Sequence, residues 1–62
     1  DLSTSNLKKA VGKKIEVLAF GVVYRGRLKK IDLKAGTIRI EDKGDYAILE
    51  IERLESFRVL DR

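Results

Sequence analysis

The sequence predicts a mainly β fold: a short N-terminal helix followed by a five-stranded, strongly bent antiparallel barrel. Three observations lead there. Short segments of alternating apolar and polar residues follow one another at close spacing, separated by tight polar turns. A single glycine, Gly26, interrupts the longest segment, residues 22–31, on its apolar register. No linker, internal repeat or low-complexity run divides the 62 residues, so 1–62 reads as one domain, with the helix at 2–11 and the barrel at 13–60.

Leu7, Ala10 and Val11 fall at i, i+3 and i+4, one face of a helix, and Ser3, Thr4 and Ser5 supply capping hydroxyls. Gly12 fits the left-handed stop just past its end. About two turns do not persist alone in water, so this helix must pack on the rest of the chain. Ile15, Val17 and Ala19 then alternate with Lys14, Glu16 and Leu18, and Phe20-Gly21 reads as a hairpin turn.

In the second strand Val22, Tyr24 and Leu28 alternate with Val23, Arg25, Arg27 and Lys29. Glycine inside such a run marks a bend or bulge where a side chain would strike a neighbouring strand. A small barrel needs that bend to curl a short sheet onto itself. Residues 32–36 form a loop, Ile38 and Ile40 face inward on a third strand, and Asp42-Lys43-Gly44-Asp45 is a polar turn. The fourth strand, 46–52, is apolar on both faces, Tyr46 and Ile48 on one, Ala47, Leu49 and Ile51 on the other. After a turn at 53–56, Phe57, Val59 and Leu60 make a fifth.

Composition narrows the function classes. A chain this short buries only about 60% of the surface its unfolded form exposes, so its core is marginal unless something adds to it. Without cysteine no disulfide helps, and without histidine a zinc site would need carboxylates alone; we assign no metal and no cofactor. Oligomerisation is the remaining common route to extra burial. No apolar run approaches the roughly 20 residues of a membrane span and nothing resembles a signal peptide, so the expectation is a soluble cytoplasmic protein without a membrane partner. The lack of Cys, Met, Trp, His, Pro and Gln, with 39% charged residues, leans towards a heat-adapted source.

Catalysis finds no support. No serine stands near a plausible base, and Glu50, Glu52 and Glu55 lie on a charged stretch. We expect no enzyme and no small-molecule substrate. The net charge of +4 is uneven: residues 1–40 carry ten Lys/Arg against three acids, residues 41–62 four against seven. That asymmetry suits an anionic ligand at one end, and equally suits subunits joining head to tail. Arg25, Arg27, Lys29 and Lys30 read as a phosphate track or as a solvated face paired with Glu16 and Glu41.

The order of these pieces resembles the first motif of the Sm-like (LSm) family, which has an SH3-like barrel fold. The residues are Val11-Gly12-Lys13-Lys14-Ile15-Glu16-Val17, Val23-Tyr24-Arg25-Gly26-Arg27-Leu28, Ile31-Asp32 and Thr37-Ile38-Arg39-Ile40-Glu41-Asp42, so the likeness covers about residues 7–42. It implies rings of roughly five to seven or more subunits, the fourth strand of one pairing with the fifth of the next, and binding of single-stranded RNA. The implied subunit interface comprises Tyr46, Ile48, Leu49, Ile51, Phe57 and Val59.

The RNA residues the resemblance implies are Asp32, Lys34 and Thr37 in the loop, with Arg53 after the fourth strand. In the family an often aromatic residue follows the aspartate and stacks on a base, and an asparagine follows it. Here the loop runs Leu33-Lys34-Ala35-Gly36 to Thr37, with no aromatic. The family's Ile-Arg-Gly turn is represented by Ile51-Glu52-Arg53-Leu54. Lys8, Lys9, Lys13 and Lys14 add a basic patch at the helix end that a ring would repeat around one face. The competing expectation is a ring-forming structural or protein-interaction module that has lost RNA recognition; a third is a monomeric adaptor.

Overall fold

The computed structural model describes residues 4–60. In chain order the elements are helix α1 (Thr4–Lys9), strands β1 (Lys14–Ala19), β2 (Val22–Asp32), β3 (Thr37–Asp42) and β4 (Asp45–Glu50), a 3₁₀ turn (Ile51–Arg53) and β5 (Leu54–Val59). All pairings are antiparallel, in the order β4-β3-β2-β1-β5. The mainly β expectation is met, but the sheet does not close into a barrel: β4 and β5 are its two edges, and no ladder joins them among the described residues.

The long strand β2 belongs to both halves of the sheet. Its first half, Val22 to Arg27, pairs with β1, and its second half, Arg27 to Asp32, pairs with β3. At the changeover sits Gly26. A Cβ there would stand 2.6 Å from the Glu41 carbonyl oxygen and 2.7 Å from Ile40 Cγ2, so no other residue fits without displacing β3. The bulge itself lies further on. The register passes from Leu28–Ile40 to Lys30–Arg39, leaving Lys29 unpaired. Lys29 and Lys30 therefore both face solvent, and Leu28 and Ile31 both turn inward.

Inside the bend, Ile15, Val17 and Ala19 of β1 meet Leu28, Ile38, Ile40, Leu49 and Leu54, with Ala10 joining from the turn after α1. Both two-residue hairpins, Phe20-Gly21 and Lys43-Gly44, have positive φ at both positions, the twist that suits right-handed strands. The 3₁₀ turn links β4 to β5 in three residues, so the fourth strand ends at Glu50 rather than at residue 52. The fifth begins at Leu54, because Leu54 pairs with Ala19 and enters the core.

Helix α1 ends earlier than its apolar pattern suggests. Leu7 and Ala10 are buried, but Val11 is exposed, because the chain turns after Lys9 and stops at Gly12 with φ +88°. Gly12 N–H donates to the Leu28 carbonyl at 2.8 Å and Leu28 N–H to that of Lys13 at 3.0 Å, which ties the stop to β2. Leu2 and Ser3 lie outside the described residues.

On the outer face, Glu16 of β1 joins three strands. Its carboxylate accepts from Arg25 Nε of β2 at 2.6 Å and from Arg58 Nε of β5 at 2.8 Å. The Arg58 hydrogen bond, then the Arg25 one, hold its pKa below the ordinary glutamate value. A depressed folded pKa means the contribution is present above the unfolded pKa and lost as pH falls through the folded one.

Two outcomes follow. Gly26→Ala should lower the urea midpoint by the equivalent of about 2 kcal/mol, the scale of overpacking a core, and an unchanged midpoint would refute the close approach. Glu16→Gln should be less stable than the parent at pH 7, and the gap should close on acidification below the usual carboxylate range. A gap that stays constant from pH 7 to pH 2 would remove the ionic account.

Candidate nucleic-acid interface

The loop between β2 and β3 is built by its first residue. Asp32 Oδ1 accepts from Ala35 N–H at 3.0 Å, and its carbonyl accepts from Gly36 N–H at 2.8 Å. Aspartate thus caps its own turn, the structural role such a residue commonly takes. The Gly36 carbonyl in turn accepts from Ile51 N–H at 2.8 Å. That bond fastens the loop to the 3₁₀ turn, so the loop bearing Asp32, Lys34 and Thr37 and the turn bearing Arg53 share one end of the sheet.

Within that end the four residues are not equivalent. Asp32 and Thr37 are cross-strand partners and line a shallow cleft of about 140 Å³ with Lys30, Arg39 and Ile48. Lys34 is exposed and lies outside this cleft. Arg53 is also exposed and paired with Glu50 at 3.4 Å. Arg39 is the residue that motif matching overlooks. Its guanidinium stacks over the Tyr46 ring, 4.3 Å from the centroid, and Nε stands 3.0 Å from Glu41 Oε2 without an aligned hydrogen bond. The signal was its outward register on β3, between Thr37 and Glu41.

The helix-end lysines are placed as a patch. Lys8 and Lys9 occupy the last turn of α1, and Lys13 and Lys14 follow the Gly12 stop. All four are exposed, and none has an ion-pair partner among the described residues. Lys14 faces Arg27 across β1 and β2, and both line a polar cleft of about 250 Å³ with Lys43, Glu41 and Asp42. The basic ridge on β2 behaves unevenly. Arg25 pairs with Glu16, Arg27 donates to the Gly12 carbonyl, and Lys29 and Lys30 have no ion pair among the described residues. Glu41 is taken by Arg39 rather than by the ridge.

The proposed subunit-interface residues divide between the two edges and the core. Tyr46 and Ile48 stand outward on β4, 61% and 58% exposed. Phe57 and Ile51 are half-buried against the core, and Val59 is exposed near the end of β5. Leu49 is only 5% exposed and belongs to this chain's own core.

Among the described residues no group of three or more His, Cys, Asp or Glu is arranged to hold a metal ion, and no helix is long and apolar enough to cross a membrane. Compared with models of known families, with curated proteins and with solved structures, the chain gives no significant match.

Proposed function

We propose that this chain is a non-catalytic, single-stranded RNA-binding protein of the Sm-like kind, acting in the cytoplasm as a homo-oligomeric ring. The observation that carries the reading is the Gly36–Ile51 backbone bond, which brings the two segments bearing the motif residues to one end of the sheet. There Lys34 and Arg53 contact phosphate, and Asp32 and Thr37 shape the pocket. Lys30, lining the same cleft as Asp32 and Thr37, adds positive charge beside it, and Arg39 there is paired with Glu41.

Assembly is supported by the open sheet. Edge strands carry unpaired N–H and C=O groups, and β4 adds exposed Tyr46 and Ile48 to that hazard. Pairing β4 of one subunit with β5 of the next satisfies both edges through a repeated contact that closes. Leu49 then contributes through its backbone, since its side chain is already buried.

The second reading, a ring-forming structural or protein-interaction module without RNA recognition, is favoured by two contacts. Arg53 is held by Glu50, and one Asp32 carboxylate oxygen is used inside its own loop. No aromatic stands in that loop to supply the about 1–3 kcal/mol of base stacking.

Sedimentation velocity at micromolar concentration should give an assembly several times the 7.0 kDa protomer; a monomer overturns the ring. Titration of labelled oligo-U and oligo-A across a salt series should show affinity that falls steeply with salt. Lys34→Ala or Arg53→Ala should each weaken binding several-fold and reduce the salt slope by about 0.7, one phosphate contact on a single strand. Flat titrations at low salt would leave the interaction module as the function.

A further inference from the structure

A second recognition site lies at the opposite end of β3, roughly 17 Å along the strand from the Asp32 loop at about 3.4 Å per residue. Here a cleft of about 150 Å³ opens beside the Asp42–Asp45 hairpin. Buried Ile40 and half-buried Ala47 and Tyr24 give it an apolar interior, and exposed Tyr46, Asp42, Asp45 and Arg25 complete its lining. We propose that this cleft binds the guanidinium of an arginine side chain presented by a partner polypeptide.

Three observations select that occupant. Asp42 and Asp45 are direct cross-strand partners, so two like charges face each other across the last pair of the hairpin. Such a pair is unfavourable by itself, and neither carboxylate has an ion-pair partner among the described residues, Lys43 between them included. A cation seated between them relieves the repulsion and takes charge-assisted hydrogen bonds. Two tyrosines line the same cleft, and a ring face attracts a cation that has left bulk water. Tyr46 already stacks a guanidinium, that of Arg39, at 4.3 Å.

Arg25 also lines the cleft; it pairs with Glu16 at 2.6 Å rather than with either aspartate, and shares that carboxylate with Arg58. The two carboxylates disfavour phosphate in this cleft, while Asp42 also borders the adjacent cleft lined by Lys14, Arg27 and Lys43. The site stands independently of the RNA reading, but Asp45, Tyr46 and Ala47 belong to β4, so the proposed ring would bring β5 of the next subunit beside this cleft.

The test is a ¹H–¹⁵N NMR titration of the full chain with the peptide Gly-Arg-Gly and its neutral citrulline counterpart. The arginine peptide should saturably shift the amides of Tyr24, Asp42 and Asp45 to Ala47, and the citrulline peptide should bind at least five-fold more weakly. Tyr46→Ala, at an exposed position, and the double change Asp42→Asn with Asp45→Asn should each weaken the arginine peptide at least five-fold while the spectrum stays folded. Absent shifts, equal binding of citrulline, or undiminished binding by the folded variants would each overturn the proposal. So would oligo-U shifting these amides in place of the peptide. Loss of RNA binding with the peptide shifts intact would strike only the RNA reading.

Discussion

The contact on which the rest of the molecule depends is the passage of β3 over Gly26. A Cβ at that point would fall 2.6 Å from a backbone oxygen, not from the movable end of a side chain, so the strand has no cheap way to yield. Because nothing intervenes, β2 serves β1 with one half and β3 with the other, and the one bent sheet gathers its core side chains on a single side. The Lys29 bulge finishes the turn by moving Ile31 to the inside. A chain of 62 residues thereby surrounds a core it could not enclose with a flat sheet.

Bending is not closure, and the remaining gap has consequences. Inward residues near β5, such as Phe57 and Val59, pair across from buried Val17 and Ile15 yet stay partly or largely exposed. On β4 the inward side is covered, and it is outward Tyr46 and Ile48 that stand in solvent. The two edges thus expose apolar surface of different origin, one from an unfinished core and one from an uncovered face. A contact joining unlike edges makes use of both, whereas a symmetric pairing of β4 with β4 would leave β5 open.

How far the sequence revealed this depended on whether the signal was local. Strand periodicity and the Phe20-Gly21 and Lys43-Gly44 turns were legible because φ preferences and period-two burial act within a few residues. Gly26 was legible as a collision site, but the bulge at Lys29 was not, since any exposed residue can bulge on an outward register. Helical spacing places Val11 on one face with Leu7 and Ala10, while the hydrogen bonds that tie Gly12 and Lys13 to Leu28 end the helix first. The link at Ile51–Arg53 was missed for a similar reason: Leu54 is drawn to Ala19, and only the fold brings those residues together. In the candidate site, Asp32 and Thr37 came from motif order, but Arg39 is defined by neighbours on β4 that lie beyond the motif.

The uneven charge of the chain acquires a spatial meaning from this fold. β3 runs from a cleft with Lys30 and Arg39 on its wall to a hairpin where Asp42 and Asp45 face each other. Between them Glu41 is paired with Arg39, and Glu16 is shared by Arg25 and Arg58, which leaves one positive charge over on that face. Without an ion pair among the described residues stand the helix-end lysines, Lys29, Lys30 and Lys34, and, of opposite sign, Asp42 and Asp45, with Lys14 and Asp42 on one cleft wall. Exposed pairs are weak and screened beyond about 10 Å at ordinary salt, so each group acts on what touches it rather than across the molecule. The proposed anionic and cationic ligands then meet different side chains, Lys30 and Arg39 at one end of β3 and Asp42 and Asp45 at the other.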